Sequence, residues 1–213
     1  MKILEIEQGS EDWFQARLGI PTASRFKDII TPAKGEKSKS YKTYMYELIA
    51  EKLIKEKENT FKTEWMERGN KIEPLARSSY EFIHDVSVKE VGIMLNDDGT
   101  IGASPDGLIG EKGGLEIKCP KPATIVKYLI NNQLPLEYKP QVMGNLWISE
   151  REWWDFLAFH PVMKFFQIRV YRDEEYIKKM EQHINDFVDE LNEGFDKIAK
   201  QGTLKECKKI IKE

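Results

Sequence analysis

Cysteine and histidine are scarce in this sequence, and their scarcity limits the metal chemistry that it can support. The 213 residues include two cysteines, Cys119 and Cys207, and three histidines, His84, His160 and His183. Two cysteines cannot form a disulfide framework, and they cannot supply a four-cysteine zinc or iron–sulfur site. The scattered histidines exclude a histidine-rich metal site in the same way.

Long apolar runs are absent as well. No stretch approaches the roughly 18 consecutive apolar residues that a membrane span requires, so we expect no membrane partner. Residues 1–7 carry three charged side chains and lack the apolar segment of a secretory signal. These absences lead us to expect a cytoplasmic protein.

The sequence is nevertheless rich enough in apolar residues to fold. Apolar residues make up 40% of the chain and aromatic residues 11%, which is enough to bury a sizeable core and too much for a disordered chain. A length of 213 residues fits one domain. We therefore expect residues 1–213 to form a single domain that ends in a C-terminal helix and a basic tail.

Helical and strand patterns alternate along the chain. The turn signal Asn96–Gly99 predicts a hairpin, and Pro74 predicts a kink or a new first turn because proline has no N–H for the helical ladder. Periodicity and composition predict helices over residues 11–18, 41–58, 65–83, 123–132, 137–148 and 173–200, and strands over 86–95, 101–104, 115–119, 153–159 and 165–171. We therefore expect a mixed α/β domain with a central β-sheet flanked by helices.

The residues with the clearest chemical potential fall in two short segments. Asp106 follows a strand at a proline turn, and Glu116 and Lys118 stand two residues apart on the next strand, which places their side chains on one face. Carboxylate oxygens suit Mg²⁺ or Mn²⁺. A nearby lysine can orient or help deprotonate a metal-bound water and offset charge on a phosphate. An ordinary hairpin with solvent-facing charges fits the same spacing.

Two more polar residues lie on predominantly apolar helical faces. Glu73 stands four residues after Gly69 and three before Ala76, where an unpaired carboxylate would be costly to bury. A metal or a basic partner would remove that cost, and an acid at a helix end beside Pro74 is the alternative. Gln141 lies on a helix otherwise rich in apolar groups, and its alternative is an amide hydrogen-bonded to backbone.

These residues belong to a series of motifs that resembles the lambda-exonuclease branch of the PD-(D/E)XK nucleases, the YqaJ-like viral recombinase family. The resemblance covers roughly residues 8–180, with the motifs in the family's order. They are Gln8-Gly9, Trp13, Arg17-Leu18-Gly19, Thr22-Ala23-Ser24, Arg68-Gly69, Glu73, Ala76-Arg77, Ser104 to Leu108, Leu115 to Pro120, Tyr138, Gln141 to Trp147, His160-Pro161 and Arg172-Asp173-Glu174.

The resemblance implies a PD-(D/E)XK nuclease core and a Mg²⁺-dependent 5′-to-3′ exonuclease that degrades one strand of linear double-stranded DNA to 5′-mononucleotides. It further implies one or two metal ions, with Mn²⁺ as a substitute for Mg²⁺. Other implied features are a homotrimeric ring around DNA and phage-type recombination with a single-strand annealing protein as partner. The expected location is the cytoplasm of a bacterium or a phage-infected cell.

By the same resemblance, Asp106 and Glu116 bind metal together with the backbone carbonyl of Ile117. Lys118 matches the lysine that positions the attacking water.

The resemblance assigns the remaining catalytic positions to Glu73, the helical acid of the site, and Gln141 at its edge. It also implies that Arg17, Ser24 and Ser104 hold the terminal 5′-phosphate, a role that suits a guanidinium fork and hydroxyl donors. Each of these three has an alternative: a helix-end charge for Arg17, an N-cap near residue 25 for Ser24, and a turn residue for Ser104.

Other functions fit parts of the same pattern. A related PD-(D/E)XK endonuclease would share the core, and closed circular DNA would distinguish it because an end-dependent exonuclease leaves a circle intact. A non-catalytic DNA-end-binding recombination protein would share the fold without the activity. A Cas4-like nuclease is disfavoured because two cysteines cannot hold an iron–sulfur cluster.

A net positive charge is also missing, since the formal charge is −3. The charge is uneven, however: residues 17–55 hold nine basic and four acidic residues, a local charge of +5, and residues 200–213 add +3, which leaves −11 for the remainder. Phosphate attraction depends on where charge lies, although such blocks also occur as solvated faces. We predict that residues 17–55 line a DNA path and that the acidic face of the last helix points away from it.

Overall fold

A computed structural model describes residues 1–56 and 64–200 of the protein. Its elements are β1 (Lys2–Leu4), α1 (Glu11–Ala16), α2 (Phe26–Ile29), α3 (Tyr41–Ile54), α4 (Glu64–His84), β2 (Val88–Lys89), β3 (Ile93–Leu95), β4 (Gly102–Ala103), β5 (Gly107–Ile109), β6 (Gly113–Lys118), α5 (Pro122–Asn131), α6 (Lys139–Ser149), β7 (Trp153–Ala158), β8 (Phe166–Tyr171) and α7 (Glu174–Ala199). Short 3₁₀ turns cover Ala23–Arg25 and Leu136–Tyr138. Within these ranges no helix is long and apolar enough to cross a membrane.

A five-stranded mixed sheet forms the centre of the molecule, in the order β2-β5-β6-β7-β8. The β6–β7 pair is parallel and every other neighbouring pair is antiparallel. Glu116 on β6 stands opposite Phe156 on β7, and Lys118 stands opposite Ala158. Because the strands are parallel, their carboxyl ends meet at the same edge of the sheet.

Helices cover both faces of this sheet, as the sequence predicts. Tyr80 and Ala76 of α4 pack against Leu115 and Ile117 on one face. The larger cluster on the other face joins α2, α3, α5, α6 and α7 to β7 and β8. The aromatic side chains of Trp154, Phe156 and Phe166 are buried there. Alternate side chains of β6 and β7 thus face different helical layers, as a strand period of two requires.

A second, three-stranded sheet has the order β1-β3-β4. The predicted hairpin at Asn96–Gly99 joins β3 to β4, and the Asn96 side chain accepts hydrogen bonds from the N–H groups of Thr100 and Ile101. A parallel bridge between Thr22 and Gly102 ties this sheet to the segment after α1.

The strands depart from the sequence prediction in three places. The continuous strand predicted over residues 86–95 is wrong, because β2 and β3 belong to different sheets. Gly92 lies between them, where a Cβ atom would stand 2.3 Å from the carbonyl oxygen of Ile6. The predicted strand 101–104 shortens to β4, and the three-residue strands β1 and β5 were not predicted.

The helices follow the prediction more closely. Helix α4 runs through Pro74, so the prediction of a new first turn there is wrong. Packing of Ala76 and Tyr80 against the sheet offsets the hydrogen bond that proline removes from the helix. Helix α3 ends at Ile54, where Lys55 adopts a left-handed conformation with φ 58°. Residues 57–58 of the predicted helix, the basic tail from residue 201 onwards and Cys207 lie outside the described residues.

The basic block of residues 17–55 does not lie apart from the acidic last helix. Helix α3 packs on α7 through Tyr41 and Phe187, whose ring centroids are 4.9 Å apart. This packing brings Lys37 and Lys42 into ion pairs with Glu190 of α7. For these two lysines the prediction of separate basic and acidic faces is therefore wrong.

Candidate active site

Asp106, Glu116 and Lys118 come together at the β5–β6 hairpin. The backbone N–H of Ile117 donates to Asp106 Oδ2, because the antiparallel register sets Gly107 opposite Leu115. On β6, Lys118 Nζ donates to Glu116 Oε1. The predicted spacing of two residues thus gives side chains on one face, and Asp106 is attached to the same strand from the neighbouring turn.

Glu116 is a buried carboxylate with three donors. Its residue is 1% exposed, and in addition to Lys118 it accepts from Gln141 Nε2 at 2.6 Å and from Asn145 Nδ2 at 3.2 Å. Both amides come from α6, one turn apart, and face β6 together. The side chain of Gln141 thus donates to a carboxylate and not to backbone, whereas its catalytic role stays a prediction. Asn145 was not predicted, although its position four residues after Gln141 on a largely apolar helix was a signal for it.

Glu73 reaches the site from α4, with Arg77 as its basic partner. Arg77 Nη2 donates to Glu73 Oε1 at 2.9 Å, and its Nε donates to the carbonyl oxygen of Asp106 at 3.2 Å. The same guanidinium forms an ion pair with Glu90 at 2.8 Å. Since Glu73 lies near the middle of α4, the helix-end alternative is wrong. Arg77 joins this helix to the segment that carries Asp106.

Negative charge is crowded at the site. Burial raises the pKa of Asp106 well above its usual value, the charge of Glu116 raises it further, and the ammonium of Lys118 only partly opposes this. Burial also raises the pKa of Glu73, against the lowering effects of Arg77 and Lys118. For Lys118, burial lowers the pKa, but the charges of Glu116 and Asp106 outweigh burial and raise it. Lys118 is therefore a cation in this arrangement.

The donor set fits a hard divalent cation. Among the described residues, no three His, Cys, Asp or Glu side chains converge as a metal cage, so a closed zinc-type site is absent from this part of the chain. Mg²⁺ differs, because one or two carboxylates together with waters and phosphate oxygens satisfy it. Asp106, which accepts from the Ile117 N–H, and Glu116, the residue before Ile117, supply such a pair of carboxylates. A cation would also relieve the crowding that raises the pKa of Asp106.

A second cluster of polar side chains, which we call the anion pocket, surrounds Arg17 and is joined through residues 104–106 to the carboxylate site. Arg17 Nη1 donates to Ser104 Oγ at 2.7 Å, and its Nη2 donates to Thr22 Oγ1 at 3.2 Å. Its guanidinium lies over the Trp13 ring, 4.3 Å from the centroid. Arg17 forms no ion pair with any residue that the structure describes, and burial lowers its pKa. The pocket is thus a desolvated cation among neutral hydroxyls, which is an arrangement suited to an anion.

Of the three residues predicted to hold the 5′-phosphate, Arg17 and Ser104 are in direct contact, and Ser24 is connected to them only through Thr22. The Ser24 hydroxyl lies 3.4 Å from that of Thr22, which in turn contacts Arg17. Ser24 sits inside a 3₁₀ turn, and α2 begins at Phe26 without a side-chain cap, so the N-cap alternative for Ser24 is wrong. Trp13 also contacts this cluster, since its Nε1 donates to Ser104 Oγ at 3.1 Å. Thr22 and Trp13 are among the motif residues, but the sequence predicts no role for them.

Gln8 holds the segment that connects the two pockets. Its Nε2 donates to the carbonyl oxygens of Val91 at 2.9 Å and Pro105 at 2.8 Å. Pro105 lies between Ser104 of the anion pocket and Asp106 of the carboxylate pair. The connecting segment is thus fixed by Gln8 at Pro105 and by Arg77 at the Asp106 carbonyl.

Comparisons with known proteins agree with this architecture. An alkaline exonuclease from Laribacter hongkongensis (LHK-Exo) is 33% identical, with a TM-score of 0.83 over 91% of this chain and 98% of that one, and it has also been solved in complex with dAMP. A phage-related exonuclease from Haemophilus somnus 129PT shares the fold at 14% identity, with a TM-score of 0.64 over 86% of this chain and 96% of that one. The central mixed sheet with flanking helices is the PD-(D/E)XK exonuclease fold.

The search of curated proteins gave no match. The family model of the YqaJ-like viral recombinase domain matches residues 12–152, which is more than half of the chain. This protein therefore belongs to the YqaJ-like viral recombinase family.

Proposed function

We propose that this protein is a Mg²⁺-dependent exonuclease that degrades one strand of linear double-stranded DNA from its 5′ end and releases 5′-mononucleotides. Family membership and similarity to an alkaline exonuclease support a phage-type nuclease. The observation that carries the proposal is the attachment of both pockets to one segment. Ser104 and Asp106 are two residues apart, which spans at most about 7 Å.

That short separation explains the proposed product. Arg17, Ser24 and Ser104 bind the terminal 5′-phosphate, and the carboxylate pair then lies within reach of the first phosphodiester bond. Cleavage there releases one nucleotide carrying a 5′-phosphate. The relative's complex with dAMP, a deoxynucleoside monophosphate, supports a product of this chemical class.

The proposed metal site consists of Asp106, Glu116 and the backbone carbonyl of Ile117, and it takes one or two ions. Mg²⁺, or Mn²⁺ in its place, supplies a water of lowered pKa and neutralises charge on the phosphate. Lys118, a cation beside Glu116, orients the attacking water and stabilises the charge that develops on the phosphate oxygens.

Gln141 and Glu73 complete the proposed site. Gln141 holds Glu116 Oε1 through its amide. Glu73 shares Arg77 with the Asp106 carbonyl and adds a third carboxylate at the edge of the site.

Recombination is the proposed biological setting. Removal of one strand from its 5′ end leaves the complementary strand single-stranded, and this strand is the substrate of a single-strand annealing protein. Family resemblance supports a homotrimeric ring around the duplex as the working form.

The decisive experiment is time-resolved digestion of a linear duplex labelled at one 5′ end, with and without a terminal phosphate, in parallel with closed circular DNA. With Mg²⁺ we expect early release of the label as a mononucleotide, faster from the phosphorylated end, and no change in the circle. Nicking of the circle would instead establish an endonuclease. An intact linear duplex, with binding retained, would establish a non-catalytic DNA-end-binding protein.

A further inference from the structure

We propose that Asn145 is a positioning residue that fixes the carboxylate plane of Glu116 for metal binding. This role rests on the proposed function, because it treats Glu116 as a metal ligand. Asn145 does not touch the metal, water or DNA in this proposal. It acts through the hydrogen bond that its Nδ2 donates to Glu116 Oε2 at 3.2 Å.

The two oxygens of Glu116 have different partners. Oε1 accepts from Gln141 and Lys118, and among the described residues only Asn145 donates from its side chain to Oε2. The last torsion of a glutamate side chain is broad and is not fixed by a deep rotameric well. Donors on a single oxygen leave the carboxylate free to tilt, whereas a donor on each oxygen sets its plane. Asn145 therefore decides the direction of the Glu116 lone pairs.

The surroundings of Asn145 support a specific role for its amide. The residue is 1% exposed, and its helical neighbours Val142 and Leu146 are fully buried. A polar amide in such a place is costly unless it is hydrogen-bonded, so an apolar residue would be expected if packing alone mattered. An asparagine donates here without adding a charge to a site that already contains Lys118.

Metal affinity is the property most sensitive to this arrangement. Removal of a group that orients a metal ligand typically costs about 10–100-fold in metal affinity or activity. We therefore expect Asn145→Leu, which keeps the branching and the number of side-chain heavy atoms but has no donor, to weaken Mn²⁺ binding about tenfold or more. Asn145→Thr keeps a hydroxyl donor in a shorter side chain, and we expect it to have an intermediate effect.

The test is calorimetric titration of the DNA-free protein with Mn²⁺, together with exonuclease rates over a range of Mg²⁺ concentrations. Ser149→Ala is the matched control, because Ser149 is a buried polar residue one turn further along α6 whose hydroxyl accepts from the Arg151 N–H. It is not among the side-chain donors to Glu116 in the described part of the chain, which are Lys118, Gln141 and Asn145. We expect the Mn²⁺ affinity of Ser149→Ala to equal that of the wild type. In Asn145→Leu the rate recovers as Mg²⁺ is raised, and the preference for a 5′-phosphate stays unchanged because Arg17 is untouched.

An unchanged Mn²⁺ affinity in folded Asn145→Leu would overturn the proposal and leave Asn145 as a packing residue. If that variant does not fold, Asn145→Ala, which removes the donor without adding volume, decides in the same way: weaker binding supports the role and wild-type binding overturns it. Wild-type protein that binds no Mn²⁺ contradicts both this role and the proposed function. Wild-type protein that binds Mn²⁺ with the expected difference between variants, yet leaves DNA intact, contradicts the function alone.

Discussion

Lys118 is a cation held among carboxylates, and its charge has two opposite consequences. Lys118 donates to Glu116 Oε1, so in the proposed function it would compete there with a metal ion and would also stabilise charge on a phosphate in the transition state. We expect Lys118→Met to lower the single-turnover rate about 100-fold or more and to tighten Mn²⁺ binding. Rapid-quench kinetics and calorimetry measure the two effects, and a loss of metal binding would contradict this account.

The proposed recognition of the 5′-phosphate depends on the geometry of the Arg17 guanidinium fork. The fork donates to Ser104 and Thr22 at the same time, which a lysine cannot reproduce. We expect Arg17→Lys to reduce the preference for a 5′-phosphate over a 5′-hydroxyl about tenfold, since a lost charge-assisted hydrogen bond contributes about that factor. Competition between the two labelled ends measures the preference.

Ser24→Ala provides the comparison for Arg17→Lys. Ser24 is exposed and contacts the pocket at 3.4 Å through Thr22, so its removal should change the preference less. Equal effects of the two variants, or an unchanged preference in Arg17→Lys, would show that the pocket does not bind the terminal phosphate.

Helix α6 links the two pockets because Gly144 allows it to pack closely on the turn that carries Ser24. A Cβ atom at Gly144 would lie 2.6 Å from the Phe26 ring and 3.1 Å from the Ala23 Cβ. We expect Gly144→Ala to cost about 1–3 kcal/mol of stability and to lower both turnover and the 5′-phosphate preference. Urea unfolding and the end-competition assay measure these changes.

Gly69→Ala is the control for the glycine in α6. Among the residues that the structure describes, no atom lies within 4 Å of a Cβ added at this helical position, and alanine favours a helix over glycine by about 0.8–1.0 kcal/mol. We therefore expect stability to rise. If Gly144→Ala lost no more stability than this control, close packing of α6 would not be the reason for its glycine.

Helix α4 is attached to the sheet by a buried ionic cluster outside the active site. Asp155 of β7 is 0% exposed and accepts from Tyr80 of α4 and from two guanidinium nitrogens of Arg169, at 2.8 and 2.9 Å. Asp155 is buried, but the Arg169 side chain is 41% exposed, so we expect Arg169→Met, which removes two donors from a buried carboxylate, to cost about 1–3 kcal/mol. The exposed pair of Lys179 and Glu175 is the contrast, because Lys179→Met should cost less than about 1 kcal/mol. Similar losses in urea unfolding would contradict this difference.

Local sequence patterns predict which side chains of this site are neighbours on one strand or helix. They do not predict contacts between segments that are distant in the sequence. The strand period places Glu116 beside Lys118, and helical spacing of four could have revealed Arg77 beside Glu73. The sequence does not predict strands β1 and β5, because three residues are too few to show a detectable alternation of apolar and polar side chains.

The ion pairs of Lys37 and Lys42 join Glu190 across 153 and 148 residues. Such contacts follow from packing of α3 on α7 and not from any nearby pattern. The charge of a sequence block therefore does not reveal which surface it will face.

The α3–α7 layer gives the whole molecule a sensitivity to acid. The hydrogen bond from Lys42, opposed by partial burial and aided by Lys37 and Tyr41, lowers the pKa of Glu190 from 4.5 to about 2. Because the pKa of this carboxyl is lower in the folded than in the unfolded protein, ionised Glu190 stabilises the fold at pH values above 4.5. That stabilisation is lost as pH falls from 4.5 towards 2.

We expect Glu190→Gln to lower Tm at pH 7 by about 2 °C and to differ less from the wild type as pH falls below 4. Glu181→Gln, an exposed position on the same helix, should have no such effect. Calorimetry at pH 7, 4 and 3 measures the differences. A difference that grew on acidification would contradict the assignment to Glu190.

The parallel pairing of β6 with β7 also determines when this enzyme can become active during its synthesis. Strand β6 finds its parallel neighbour β7 only after α5 and α6 have been made, and Glu116 finds its amide partners only on α6. Contacts between such distant segments form late in folding. A nascent chain that stops at Lys118 contains every proposed metal ligand and Lys118 itself, yet it lacks the strand and helix that hold them. The proposed site can therefore assemble only after β7 (Trp153–Ala158) has been synthesised.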